Sequence, residues 1–323
     1  MKRMPARERR LGDKSMKTEY DFIVNPKARS GMGEMIWKML EPELKKQRIA
    51  YKVHMTDKRK RAEKIAEAVT SDGMEHTLVV LGGDGTINEA VNGIRAIEKT
   101  TLGYIPIGSS NDFARGLGIP KEPVEALDAV LHPKKIIHMD IGTLTGAAGE
   151  RRFLVSGGIG FDAAVCHEVC VSNWKVLLNR LGLGKLSYAV VALDRLIKDR
   201  PVHMTLTFDD GSRREFPKTY FAAFMNLPYE GGGFQFCPAA SPEDGQLDVI
   251  VAHGLSVPKI LCLLPLAFWG KHTGFKGVTI LRCRNVRVET SAPAALHTDG
   301  EPGFPRQSVR AGVLEERLNV IAG

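Results

Sequence analysis

Between Thr77 and Ile97 the chain changes its period within a few residues. "TLVVL" (Thr77–Leu81) is continuously apolar, as a strand covered on both faces requires. "GGDG" follows, and then Ile87, Ala90, Val91, Ile94 and Ile97 recur at helical spacing. Asp-Gly between apolar segments is a common hairpin signal, but a hairpin needs a second strand, and the pattern after Gly85 is helical. The stretch therefore predicts a parallel strand, a loop and a helix. Backbone N–H groups at a helix N-terminus attract phosphate, and this edge of a parallel sheet is where ligands bind.

The surroundings repeat the pattern. "YDFIVN" (Tyr20–Asn25) leads through "PKARSGMGE" into Met35, Met39, Leu40 and Leu44 at helical spacing. "AYKVHMT" (Ala50–Thr56) alternates like a strand, and Ile65, Ala66 and Val69 share the face of a further helix. "LGYIPIG" (Leu102–Gly108) is another strand, followed by the helix-capping residues of "SSNDFARGLG". Strand and helix alternating over short links indicate a parallel sheet covered by helices. A helix terminus supplies about 0.3–1 kcal/mol toward an exposed anion and about 2 when partly buried. That is too little for a triphosphate, which needs Mg²⁺ and cationic partners besides. Asp84, set among phosphate-facing amides, is either a turn former bonded to its own backbone or the residue that addresses such a cation. The strand–loop–helix setting favours the second.

From about Lys135 the text becomes β-rich. "IIHMDIGTL", "RRFLVSGGIG", "VHMTLTF", "YFAAFMN", "LDVIVA", "VTILRCRNVRVET" and "LNVIAG" read as strands, many alternating as antiparallel sheets do. "FDDGSR" (Phe208–Arg213) is a hairpin. Helices are expected near Leu177–Lys198 and Pro258–Phe268, both as packing helices, because no run approaches the ~18 apolar residues of a membrane span. Two acidic turns, "SPEDGQLDV" (Ser241–Val249) and "LHTDGEPGF" (Leu296–Phe304), are either solvated Asp-Gly turns or functional carboxylates. Asp299 and Glu301, two apart, would share a strand face.

The chain has 323 residues, enough for two domains, and a net charge of +8. Six basic residues against two acidic ones in residues 1–15 carry half of that excess; this tail reads as disordered. A basic excess suits nucleic acid, nucleotide or an anionic membrane surface. The five cysteines are odd in number and form no C-x-x-C pair, which fits a reduced compartment. Cys166 and Cys170 could share a helix face, but no second pair with zinc spacing follows.

Taken in order, "NPKARSG" (Asn25–Gly31), "GGDGTINEAVNG" (Gly82–Gly93), "PIGSSNDFARGLG" (Pro106–Gly118), "GIGFDA" (Gly158–Ala163), "NLPYEGGG…PAASPEDGQLDV" and "HTDGEP" (His297–Pro302) resemble the diacylglycerol kinase catalytic-domain family, the bacterial soluble lipid kinases related to sphingosine and ceramide kinases. "GGDG" alone is shared with NAD kinases and phosphofructokinases. The resemblance implies an α/β N-terminal nucleotide-binding domain of the NAD kinase/phosphofructokinase-like kind over residues 18–135. It implies a C-terminal antiparallel β-sandwich over 136–305, with 306–323 returning to the first domain after a disordered tail at 1–17. The implied activity is ATP- and Mg²⁺-dependent phosphorylation of a lipid hydroxyl, most simply that of diacylglycerol. ATP would meet Asn25, Thr56, Gly82, Gly83, Asp84, Gly85, Thr86, Asn88 and Ser109. Asp299 would be the general base, Glu301 its support or that of a catalytic metal, and Asp84 the manager of Mg²⁺-ATP. Asp244 would hold a structural Mg²⁺ with backbone carbonyls around Ser241 and Gln246. Ser109-Ser110 stands where Thr-Ala is usual, and Thr298 where an apolar residue often precedes the Asp. The expected setting is cytoplasmic, with peripheral contact to anionic membrane, no nucleic-acid partner and a homodimer within the family's range. Two competing readings are an NAD kinase-like enzyme and a non-catalytic lipid- or nucleotide-binding regulator.

Overall fold

The computed structural model describes residues 19–146, 149–165, 196 and 200–323. The tail 1–17, Cys166, Cys170 and, apart from Leu196, the helix expected near Leu177–Lys198 lie outside the described residues. Five parallel strands form most of the first sheet: β1 (Glu19–Val24), β2 (Ala50–Met55), β3 (His76–Gly82), β4 (Thr100–Pro106) and β15 (Leu318–Ala322). β5 (Lys135–Met139) closes its edge antiparallel to β15, giving the order β2-β1-β3-β4-β15-β5. The apolar run of β3 is continuous because both its faces are covered. Leu78 and Val80 pack toward α3 (Arg61–Thr70), α4 (Asp84–Gly93) and α5 (Asp112–Leu117). Val79 and Leu81 pack toward α2 (Gly33–Lys46), which follows the single turn α1 (Ala28–Gly31), and toward α6 (Pro123–Leu131).

One local expectation is corrected. α2 forms as its spacing predicts, but Met35 and Met39 face outward, 58% and 52% exposed. The buried stripe runs one position on, through Ile36, Trp37, Leu40 and Leu44, with the Trp37 and Phe22 ring centroids 5.1 Å apart. A rigid aromatic facing the sheet buries more apolar area than a methionine, and it selects the face.

The second sheet holds the remaining strands: β6 (Gly142–Gly146), β7 (Gly149–Phe153), β8 (Ser156–Gly160), β9 (Val202–Phe208), β10 (Arg213–Met225), β11 (Leu247–His253), β12 (Val278–Cys283), β13 (Asn285–Thr298) and β14 (Glu301–Val313). β10 and β13 are 13 and 14 residues long. Each pairs with β8 along one part of its length and with β9 along another, so the sheet folds back on itself as a sandwich. Phe153, Met204, Leu206, Phe224, Val249 and Val288 fill the space between. "IIHMDIGTL" is two strands: β5 belongs to the first sheet, and the chain crosses at Asp140 to begin β6 in the second. "RRFLVSGGIG" likewise divides into β7 and β8 around Leu154-Val155, and Arg284 separates β12 from β13. Asp210-Gly211 turns the β9–β10 hairpin, with Thr207 opposite Arg213. Helix α7 (Val257–Phe268) joins β11 to β12. Among the described residues no helix is long and apolar enough to cross a membrane.

Candidate active site

The C-terminal ends of β1, β2, β3 and β4 open onto one cleft of about 760 Å³, which the second sheet walls on its other side. The loops after those strands bring Asn25, Thr56, Gly83 and Ser109 to it, while Val155, Ser156, Glu230, Asp299 and Glu301 come from the sandwich. Charge divides across the space. Lys27, Arg29, Lys58 and Arg59 stand on the first domain's rim. Asp84, Asp112, Glu230 and Asp299 occupy the interior.

The glycine loop is shaped by close approach. A Cβ on Gly83 would lie 3.3 Å from the Gly108 Cα, and one on Gly108 would lie 2.8 Å from the Gly83 Cα, so the loops after β3 and β4 touch backbone to backbone. A Cβ on Gly85 would stand 2.6 Å from Glu301 Oε1. Asn25 Nδ2 donates to Thr86 Oγ1 at 3.0 Å, fastening the loop after β1 to the first turn of α4. Gly82 is buried and contributes shape behind the cleft, its carbonyl accepting from the Ile107 N–H at 2.9 Å.

Asp84 begins α4. Its Oδ2 accepts the Asn111 N–H at 2.8 Å, but its buried Oδ1 has no partner among the described residues. Burial, then the neighbouring Asp112 carboxylate, push its pKa up to about 7. An unmatched buried carboxylate oxygen is costly. Its hard-oxygen chemistry fits Mg²⁺, which typically takes one or two carboxylates and completes its octahedron with phosphate and water. Asp244, expected at a structural Mg²⁺, is placed beside Arg282. Its Oδ2 is held by the Arg282 guanidinium and its Oδ1 accepts the Gln246 N–H at 3.0 Å. Asp140 beside it is paired with Arg317 Nε at 2.8 Å and accepts the Gly245 N–H. Pairing of β11 with β12 sets Arg282 opposite Asp248, within reach of Asp244. The Arg282 guanidinium thus stands against the Ser241–Gln246 loop, which lies apart from the cleft lining.

Asp299 and Gly300 form the two-residue turn between β13 and β14, with φ of +49° and +79° and Thr298 opposite Glu301. Both residues in the left-handed region mark the tight hairpin turn that Asp-Gly favours. The turn lines the cleft. Asp299 Oδ2 accepts from Asn88 Nδ2 at 2.8 Å and the Leu154 N–H at 2.9 Å. Its Oδ1 accepts from the Val155 and Ser156 N–H groups at 2.8 and 3.0 Å. Burial raises its pKa, and these four donors oppose the rise. Glu301 differs: Oε2 pairs with an Arg59 Nη at 2.6 Å, and Oε1 lies against Gly85 without a donor among the described residues.

Asn88 is corrected as a nucleotide contact. It is 0% exposed, absent from the cleft lining, and fully engaged by Asp299, the Arg152 carbonyl and Arg151. Asn111 and Asp112 were not singled out from sequence, although they follow Ser109-Ser110. Asn111 positions Asp84, and Asp112 Oδ2 accepts the Gly232 N–H at 2.7 Å, joining α5 to the glycine run of the second domain. Their signal was two polar residues ahead of an apolar helix, which equally describes a cap.

The comparisons with known proteins agree with this division. Residues 19–144 match the Diacylglycerol kinase catalytic domain, and residues 156–322 match the YegS C-terminal NAD kinase beta sandwich-like domain. The protein YtlR of Bacillus subtilis (strain 168) is 30% identical over 285 residues, 87% of this chain and 92% of its own. The chain belongs to the diacylglycerol kinase catalytic-domain family of lipid kinases. Another family member, the Diacylglycerol kinase of the same strain, is 30% identical over 229 residues, 70% of this chain and 71% of its own. A crystal structure of a diacylglycerol kinase from Bacillus anthracis str. Sterne shares the fold, with a TM-score of 0.69 at 21% identity over 95% of this chain and 97% of that one.

Proposed function

We propose that the protein is an ATP- and Mg²⁺-dependent lipid kinase that transfers the γ-phosphoryl group to a lipid hydroxyl, with diacylglycerol as the simplest acceptor. One observation carries the reading: Asp84 at the start of α4 and Glu301, whose Oε1 has no donor among the described residues, line the same cleft under a rim of four basic side chains. The rim residues Lys27, Arg29, Lys58 and Arg59 balance phosphate charge, and the N-terminus of α4 presents backbone N–H groups to it. Asp84 would hold Mg²⁺, which supplies neutralisation of the phosphate oxygens when bound.

In this reading the roles expected of the two turn carboxylates are exchanged, and the hydrogen bonds support the exchange. A carboxylate has about four lone-pair sites, and Asp299 has four N–H donors. It is the anchor that holds the turn in the cleft. Glu301 Oε1 is the oxygen able to accept the hydroxyl proton as the lipid oxygen bonds to the γ-phosphorus and the bond to ADP breaks. General bases contribute about 10²–10⁴-fold. Glu301→Gln is therefore expected to lower kcat by about two orders of magnitude or more while KM for Mg-ATP moves less than about threefold. A Glu301→Gln enzyme turning over at the wild-type rate would remove Glu301 from the base role.

Peripheral contact with an anionic bilayer completes the reading. On and after α7, Leu261, Phe268, Trp269 and Phe275 are exposed, and Lys259, Lys271 and Lys276 lie among them. No acidic residue occurs between Ser256 and Gly277. Apolar side chains with interleaved lysines suit the interface of an anionic leaflet.

A further inference from the structure

The turn between Thr298 and Glu301 has two N–H groups that its own hairpin cannot use. In a two-residue hairpin turn the flanking residues, here Thr298 and Glu301, exchange the hydrogen bonds, and the amides of the two central residues point away. Backbone donors turned from water need partners elsewhere. The Asp299 N–H donates to the Ser156 carbonyl at 2.8 Å. The Gly300 N–H, next to Glu301, donates to Nδ1 of His297 at 3.3 Å.

His297 is held from its other end. Its side chain is 0% exposed, with Nε2 3.1 Å from Asp162 Oδ2 and 3.2 Å from Glu230 Oε1. Asp162 lies just beyond β8, where the Ala163 N–H donates to its Oδ1 at 2.7 Å. Glu230 lies beyond β10. Its N–H and carbonyl both pair with Phe234, at 2.9 and 3.0 Å, and the Ser156 hydroxyl is its side-chain partner. β13 sets His297 opposite Gly158 of β8, where a Cβ would stand 2.3 Å from Nε2 and 2.2 Å from Asp162 Oδ2. The glycine makes the space in which ring and carboxylates meet.

The contacts at the two ring nitrogens assign its proton. Nδ1 faces a donor and Nε2 faces two acceptors, which matches the neutral ring with its proton on Nε2. Burial opposes a charge on the ring, whereas the Glu230 and Asp162 carboxylates favour one and raise its pKa. A second proton would lie on Nδ1, against the Gly300 N–H. The same three side chains have the composition of a cation site. A cation on Nε2 would move the ring's own proton to Nδ1, into the same conflict with Gly300. The geometry favours a hydrogen-bonded bridge, acceptor on one side and donor on the other, over both alternatives.

We propose that His297 is a positioning residue for phosphoryl transfer: held at Nε2 by Asp162 and Glu230, its ring fixes the Gly300 N–H through Nδ1 and so sets the adjacent Glu301 against Gly85 in the cleft. The inference rests on the lipid kinase reading with Glu301 as base, and deepens it. An apolar side chain in place of His297 leaves the Gly300 N–H without its acceptor and the two carboxylates without the donor between them. Glutamine offers an amide oxygen to one side and an N–H to the other. A misplacement of about 1 Å can cost about 10²-fold in rate.

The test uses the full chain with γ-labelled ATP, Mg²⁺ and mixed micelles of dioleoylglycerol or N-oleoyl ceramide. His297→Phe should lower kcat by about tenfold or more, with KM for Mg-ATP moving less than about threefold. His297→Gln should keep kcat within about threefold of wild type. Heteronuclear NMR of protein labelled at its histidine nitrogens reads the bridge itself, with the His297 signals assigned by their loss in His297→Gln. It should show a proton on Nε2 and none on Nδ1, unchanged by Zn²⁺ alone. Thermal unfolding separates these effects from loss of the fold, and if His297→Phe does not fold, the glutamine variant and the NMR signals still decide. Wild-type kcat in His297→Phe, a loss of about tenfold or more in His297→Gln, protons on both ring nitrogens, or a proton moved to Nδ1 by Zn²⁺ each overturns the inference while the kinase reading stands. A wild-type protein that labels no lipid overturns both.

Discussion

Asp84 and Asp299 are both aspartates followed by glycine, in one cleft walled by the two sheets, and they behave in opposite ways. Asp299 is surrounded by four donors, three of them consecutive backbone amides. Removing its carboxylate would leave buried donors unmet, each costing about 1–3 kcal/mol. Asp299→Ala is therefore expected to lower Tm by several degrees before any effect on turnover is considered, as read by calorimetry. Asp84 has the reverse problem. Its folded-state pKa is raised to about 7 from 3.8. Between these values the unfolded chain has released the proton and the folded chain still holds it, so stability falls as pH rises through that window. Asp84→Asn should remove this slope and stabilise the fold at pH 7 without nucleotide or Mg²⁺ by on the order of a few kcal/mol, read as a higher Tm. The same variant should lose Mg-ATP turnover. A Tm no higher than wild type at pH 7 would show that burial is not straining Asp84. Residues of this kind were legible from sequence as carboxylates in turns. Their roles were not, because the donors around Asp299 come from Asn88 and from residues 154–156, far away in the chain.

At the scale of elements, periodicity carried most of the information. The strand–loop–helix reading of Thr77–Ile97 holds because a continuously apolar β3 needs cover on both faces, and the helical stripe of α4 supplies one of them. The hairpin at Asp210-Gly211 was equally readable, since strand alternation runs on both sides of it. What periodicity lacks is a choice between adjacent stripes, as α2 demonstrates, or between sheets, as the split of "IIHMDIGTL" into β5 and β6 demonstrates. Helix α7 was expected as a packing helix, and of its residues Leu263 and Ala267 are buried while its C-terminal Phe268 and the following Trp269 are 48% and 64% exposed. Replacing both aromatics, Phe268→Ser with Trp269→Ser, should weaken sedimentation with phosphatidylglycerol vesicles by about tenfold or more, given ~0.8 kcal/mol per buried methylene. Unchanged binding would place the membrane contact elsewhere.

Across the whole molecule, function depends on two sheets meeting at one cleft. Glu301 belongs to the sandwich and lies on Gly85 of the first domain, where a Cβ would stand 2.6 Å from its Oε1. Gly85→Ala should therefore impair turnover by about tenfold or more with little change in Tm, since a misplacement near 1 Å can cost about 10²-fold. The order of motifs made the two-domain architecture legible. The Glu230–His297–Asp162 cluster was not, because each residue stands alone in sequence and only the pairing of β8 with β13 brings two of them together. Transfer of the γ-phosphoryl group to a lipid is the central claim. It is tested most directly by incubating the protein with γ-labelled ATP, Mg²⁺ and micelles of each candidate lipid, with NAD in a parallel reaction, and extracting the products. The account predicts label in a chloroform-soluble lipid phosphate, dependent on Mg²⁺ and on Glu301. Label confined to inorganic phosphate or to NAD phosphate would contradict it.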